Sequence, residues 1–132
     1  MPIKSSKTLV EEALKQIETL NSVEVKELFD QKKCILIDIR DIRELWNDGA
    51  IDEAIHIPRG MLEFWLDPSS PYYRKDKFED PDKKMILFCA GGMRSALAAK
   101  TLKEMGYDNI SHVDGGFGAM RQIGFKIISK EK

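Results

Sequence analysis

Apolar positions in this chain recur in two rhythms. Near the N-terminus they fall at helical spacing: Leu9, Val10, Ala13, Leu14, Ile17 and Leu20 share one face of "TLVEEALKQIETL". Thr8 followed by Glu11 has capping-box spacing at its start, so a helix is predicted over 8–20. A second helix is expected from Val23 to Gln31, capped by Ser22. Beyond it the apolar residues gather in short, continuous runs: "CILIDI" (34–39), "AIHI" (54–57), "MILFC" (85–89) and "ISHVD" (110–114). Continuous rather than alternating runs suit strands covered on both faces. Between them lie the helical patterns "RDIRELWND", "RGMLEFWLD" and "SALAAKTLKEMG". Strand and helix in alternation predict an α/β domain built on a parallel sheet. Ligands of such sheets bind at the carboxyl ends of the strands, and Cys89 stands at one of those ends.

One segment breaks the rhythm. "LDPSSPYYRKDKFEDPDKK" (66–84) carries three prolines and many charges and reads as a surface excursion. Tyr72, Tyr73 and Phe78 are expected to pack it down rather than overhang a site.

Composition narrows the class. A chain of 132 residues fits one domain, and 42% hydrophobic with 33% charged residues supports a packed core. With 21 basic and 22 acidic side chains the net charge is −1, which leaves no footprint for nucleic acid or an anionic membrane. No apolar run approaches the ~20 residues of a spanning helix. The N-terminal stretch alternates charged with apolar residues and has no signal-peptide core. A cytoplasmic, reducing location is therefore expected, with Cys34 and Cys89 as free thiols.

The chemistry concentrates in "FCAGGMRSALAAK" (88–100). Gly91 and Gly92 permit backbone conformations closed to other residues, so consecutive N–H groups can converge on one point. The helix that follows is expected to start at Arg94 or Ser95, presenting its positive end. A cysteine at that focus, beside an arginine, is expected to be partly thiolate, and the cradle would hold an anion on or near the sulfur. From this loop alone a second reading stays open: Cys89 ends a strand as a buried apolar residue and the glycines merely turn the chain.

The whole string, "CAGGMRS", resembles the C-x-x-G-x-R-S active-site loop of the rhodanese-like (single-domain sulfurtransferase) family. "LIDIRDIRELW" resembles the family's L-[IV]-D-[VI]-R-x-x-x-E segment through Asp38, Arg40 and Glu44. "AIHIP" resembles its G-H-I-P segment through His56 and Pro58, and "GYDNISHVDGGFGAMRQIG" its closing segment through Gly115, Gly116 and Gly124. The likeness runs from about Ser22 to Lys126 and places four motifs in the right order. It implies a five-stranded, mainly parallel sheet flanked by helices over 22–132, with residues 1–21 as a helical extension. It also implies that Cys89 takes a sulfane sulfur from thiosulfate or another persulfide donor and passes it to a thiol or cyanide. The amides of Ala90, Gly91, Gly92, Met93, Arg94 and Ser95 would bind the persulfide or the incoming anion. A sulfur-relay protein is a further partner the resemblance suggests. Met120 stands where the family carries tryptophan, Ala54 or Ile55 where glycine precedes "HIP", and Arg59 where glycine follows it.

Other side chains are expected in supporting roles. Arg94 is read as steering anionic donors, and Ser95 as a helix cap first and a donor to the sulfur second. Asp38 and Arg40 are read chiefly as a buried pair that fixes the neighbouring loop, with substrate contact by Arg40 as the alternative. His56 and His112 read as structural, Cys34 as inert packing, and Arg59 as pointing to water. No cofactor is expected, and two separated cysteines with two distant histidines make no zinc spacing. Two other functions compete: a cysteine-dependent phosphatase or arsenate reductase, and a rhodanese-like module that binds a partner or carries persulfide without catalysis. Phosphatase loops resemble C-x5-R, whereas here four residues separate Cys89 from Arg94. The tighter loop suits a single sulfur better than a tetrahedral oxyanion.

Overall fold

A computed structural model describes residues 2–78, 80 and 82–132. The apolar runs form the centre of the fold. Strands β2 (Cys34–Asp38) and β5 (Lys84–Phe88) pair in parallel, from Cys34 opposite Lys84 to Asp38 opposite Phe88. Strand β6 (Ile110–Val113) lies beyond β5, and β4 (Ile55–His56) beyond β2. Strand β1 (Glu18–Leu20) closes the far edge against β6, giving the parallel order β1-β6-β5-β2-β4. A small antiparallel pair, β3 (Ala50–Ile51) with β7 (Ile127–Ile128), ties the C-terminal segment to the middle of the chain.

The two faces of the sheet build two cores, which explains the continuous apolar runs. On one face Ile37, Met85 and Leu87 pack with Leu62 of α4 (Leu62–Trp65) and with Ala98, Ala99 and Leu102 of α5 (Met93–Met105). On the other, Leu36, Ile86 and Phe88 pack with Val25 of α2 (Ser22–Asp30) and with Phe117 and Met120 of α6 (Gly116–Gln122). Met120 is fully buried and fills the place where the family carries tryptophan. Helix α1 (Ser6–Leu14) packs on α5, and α3 (Ile42–Asp48) follows β2.

The helix expected over 8–20 is cut short. It begins at Ser6, capped by Ser5, whose Oγ accepts the Thr8 amide at 3.0 Å, and it ends at Leu14. Residues 18–20 instead join the sheet, with Thr19 opposite His112. Glu18 is held there by Lys84 and Ser111. Pairing with β6 overrides a helical period that continued through Ile17 and Leu20. Helix α2 is capped by Asn21 rather than Ser22: Asn21 Oδ1 accepts the Glu24 amide, and the Glu24 carboxylate takes the Asn21 amide.

The 66–84 excursion is pinned in part as expected. Phe78 packs against the core, and Arg74 sits over the Trp65 ring at 5.1 Å. Tyr72 is 61% exposed, so the reading of that ring as a packing anchor fails. Among the described residues, no helix is long and apolar enough to cross a membrane.

Candidate active site

Cys89 follows β5 directly and is 1% exposed, beneath a loop whose Ala90, Gly91 and Met93 face solvent. Its sulfur does not sit in hydrocarbon alone. The Gly92 amide donates to Sγ at 3.1 Å and the Ser95 amide at 3.4 Å, while Ser95 Oγ stands at 3.6 Å. Helix α5 starts at Met93, one or two residues earlier than the sequence suggests, so the sulfur faces the N-terminal turn of a long helix. Of the six amides read as a cradle, two meet the sulfur itself. Two amides and the positive end of α5 thus converge on Sγ.

The two glycines differ. Gly92 has φ +109°, a left-handed conformation that L side chains rarely adopt, and it is the one that turns its N–H onto the sulfur. Gly91 needs no such freedom, and a methyl group there would meet open space. Of the two glycines read as giving the loop its conformational freedom, only Gly92 uses it. Gly91→Ala is expected to change stability by less than about 0.5 kcal/mol. Gly92→Ala adds strain of about 1–3 kcal/mol and moves the amide, lowering sulfur transfer roughly 10- to 100-fold. Thermal melts and turnover of the two variants side by side check this.

A second glycine holds the loop from below. Gly116, at φ +54°, lets the start of α6 touch the loop backbone, where Phe117 N donates to the Cys89 carbonyl at 2.8 Å. A Cβ at Gly116 would stand 2.3 Å from that carbonyl oxygen. The close approach explains why glycine occupies this position.

Ser95 is not the cap of α5: Gly92 occupies the cap position with no side-chain bond. The Ser95 hydroxyl is fully buried instead, between the sulfur and His112 Nδ1 at 2.9 Å. His112 is 2% exposed, and its Nε2 meets Thr19 Oγ1 at 3.0 Å. Burial holds the imidazole below its ordinary titration range, with Asp114 opposing, so it is neutral near pH 7. Sequence reasoning left His112 as a structural residue. The signal that could have found it is that a histidine inside an apolar strand must have hydrogen-bond partners.

Arg94 does not lie free for steering. Both of its terminal nitrogens bind Glu44, at 2.8 and 2.9 Å. Glu44 holds Arg94 in place, and that hydrogen bonding keeps its carboxyl below the usual range. Arg94 is pushed above its ordinary value chiefly by Glu44, with the nearby Cys89 sulfur adding to the effect. Glu44 also caps α3 by accepting the Asp41 amide at 2.9 Å. The sequence placed Glu44 in a motif, but its partnership with Arg94 spans 50 positions and is invisible to local spacing.

Asp38 and Arg40 are the buried pair expected. Arg40 is 1% exposed, binds both Asp38 oxygens, donates to the Gly49 carbonyl at 2.9 Å and lies 4.0 Å from the Phe117 ring centroid. These hydrogen bonds all lie inside the fold. His56 Nε2 meets the Arg40 carbonyl at 2.7 Å, a structural role. Arg59 is not simply solvated: it pairs with Glu63 at 2.7 Å and reaches Thr101 of α5 at 3.5 Å. Cys34 is free and buried, and burial raises its thiol to about 11. Among the described residues, no group of three or more His, Cys, Asp or Glu gathers to hold a metal.

Comparison with known proteins agrees with this architecture. The family model described as Rhodanese-like domain matches residues 21–122. A tRNA uridine(34) hydroxylase of Erwinia tasmaniensis is 30% identical over 97 residues, which cover 74% of this chain and 26% of that protein. The chain thus spans about a quarter of the curated relatives it matches. A solved protein of unknown function from Rhodopseudomonas palustris, described as a possible tyrosine phosphatase, is 44% identical. It aligns over 97% of this chain and 99% of its own with a TM-score of 0.87. The thiosulfate sulfurtransferase of Pseudomonas aeruginosa shares the fold, with 21% identity and a TM-score of 0.76 over 96% of this chain and 23% of its own.

Proposed function

Because this chain belongs to the rhodanese-like domain family, we propose that it is a sulfurtransferase that carries a sulfane sulfur on Cys89. The observation that carries this reading is the pair of backbone amides, from Gly92 and Ser95, on the Cys89 sulfur. In the first step the thiolate attacks the outer sulfur of thiosulfate. The S–S bond of thiosulfate breaks, sulfite leaves with the electron pair, and Cys89 holds a persulfide anion. In the second step an acceptor thiolate or cyanide attacks the terminal sulfur, and Cys89 leaves as thiolate. No net oxidant or reductant is consumed, and the enzyme carries the transferred group. The same amides stabilise negative sulfur before attack and after departure, which suits both halves of the cycle.

The donors this reading implies are small sulfur-containing anions or persulfides; the acceptors are thiols, among them those of a sulfur-relay protein. Free cysteines and a reactive thiolate suit a reducing, cytoplasmic setting. Hydroxylation of tRNA is the named activity of proteins of which this chain matches a quarter.

One observation favours a second reading: the Rhodopseudomonas relative is described as a possible tyrosine phosphatase. Against it stand the four-residue spacing between Cys89 and Arg94 and the capture of Arg94 by Glu44, which leaves its terminal nitrogens on a carboxylate. Thiocyanate formation from thiosulfate and cyanide, run beside hydrolysis of an aryl phosphate, separates the readings. Sulfur transfer without phosphate release is the expected result. Phosphate release alone overturns the proposal, and neither activity favours a non-catalytic module.

A further inference from the structure

We propose that Thr19, His112 and Ser95 form a hydrogen-bond relay between solvent and the Cys89 sulfur, making strand β1 a working part of the site. The inference rests on the reading of Cys89 as the sulfur carrier. It adds two positioning residues, and Thr19 lies outside residues 21–122, the span the family model matches.

The geometry is continuous. Thr19 Oγ1 to His112 Nε2 is 3.0 Å, His112 Nδ1 to Ser95 Oγ is 2.9 Å, and Ser95 Oγ to Sγ is 3.6 Å. Ser95 and His112 are buried, whereas Thr19 is exposed at the sheet edge. Four elements meet here, each supplying one member: β1, β6, α5 and the end of β5. The charged groups acting on the two ends are Arg94 at the sulfur and Asp114 at the imidazole.

Donor counting fixes the direction. A thiolate only accepts, so the Ser95 hydroxyl must donate to it. Ser95 Oγ then accepts from His112 Nδ1–H, and the bare Nε2 accepts from the Thr19 hydroxyl. A neutral imidazole has one N–H, so each polar hydrogen in the chain is assigned once. With the thiol protonated, the chain runs the other way: S–H to Ser95 Oγ, Ser95 O–H to Nδ1, and Nε2–H to Thr19 Oγ1. Passing from thiol to thiolate shifts one hydrogen along each link, and the Thr19 hydroxyl proton passes to water. Net, one proton leaves the buried sulfur and one enters solvent, with no charge left on the relay. A sulfur covered by its own loop thereby loses its proton without the loop opening.

The test is the pH profile of Cys89 alkylation by iodoacetamide, resolved by peptide mass, which needs no sulfur donor. Ser95→Ala is expected to move its inflection upward by about 0.5–1 pH unit, the worth of its hydrogen bond to the thiolate, and Thr19→Val by a smaller upward step, because the chain of donors aligned toward the charged sulfur is shortened by one. Thr19→Ser restores the parent profile, because it returns the hydroxyl. A parent-like profile in Thr19→Val, or a Thr19→Ser profile that matches Thr19→Val instead of the parent, overturns the relay. Thiosulfate labelling of the parent protein is run separately: its absence beside a shifted Thr19→Val profile removes the sulfurtransferase reading while the relay stands.

Discussion

Cys89→Ser is expected to reduce thiosulfate-dependent sulfur transfer to background, a loss of at least about 10⁴-fold, with the fold retained. Serine preserves the size of the side chain and keeps partners for the Gly92 and Ser95 amides, so the loop has no reason to rearrange. What disappears is the chemistry. An alkoxide is far harder to form than a thiolate, and oxygen in that place cannot carry a sulfur that the next thiol removes. Cys34 offers no substitute. It lies at the opposite end of its strand from the site, is 8% exposed, and burial lifts its thiol to about 11. Cys34→Ser is accordingly expected to leave turnover within about twofold, as expected for a residue with no part in the site. Turnover of the two serine variants, with circular dichroism as a check of folding, decides the point.

The second large effect lies in stability. Asp38→Asn is expected to cost about 3–5 kcal/mol, which lowers the melting temperature by on the order of 10–20 °C. Arg40 is the largest fully buried side chain, and its charge is answered by the two Asp38 oxygens at 2.8–3.2 Å. An amide in place of the carboxylate leaves that guanidinium buried with dipoles and the Phe117 ring alone. The cost reaches the site, because Phe117 also donates its amide to the Cys89 carbonyl. Removing both charges, as in Asp38→Leu with Arg40→Met, is expected to recover part of the loss, since an apolar pair of similar size avoids the uncompensated ion. Thermal unfolding of the single and double variants measures both.

Much of this was legible in the chain. Four apolar runs became β2, β4, β5 and β6 within a residue or two; β2, β5 and β6 lie inside the sheet, where burial on both faces leaves a continuous signature, and β4 is a half-buried edge. The fifth strand was hidden: Glu18–Leu20 is three residues long, lies at an edge and continues a helical period, so only its pairing with β6 defines it. The active loop was legible through glycine and cysteine chemistry, yet nothing in "GG" distinguishes Gly91, which is free of strain, from Gly92 at φ +109°. Ser95 looked like a cap because serine near a helix start usually is one; one turn of helix rotates it onto the sulfur instead. Arg94 and His112 were legible as residues but not as partnerships. Glu44 and Thr19 reach them from far along the chain, through tertiary packing alone.

The sharpest single measurement is the intact mass of the protein after incubation with thiosulfate and removal of excess reagent. A gain of one sulfur atom, reversed by a thiol acceptor and absent from Cys89→Ser, is the predicted result. An unchanged mass, or a gain that persists in Cys89→Ser, would contradict the account.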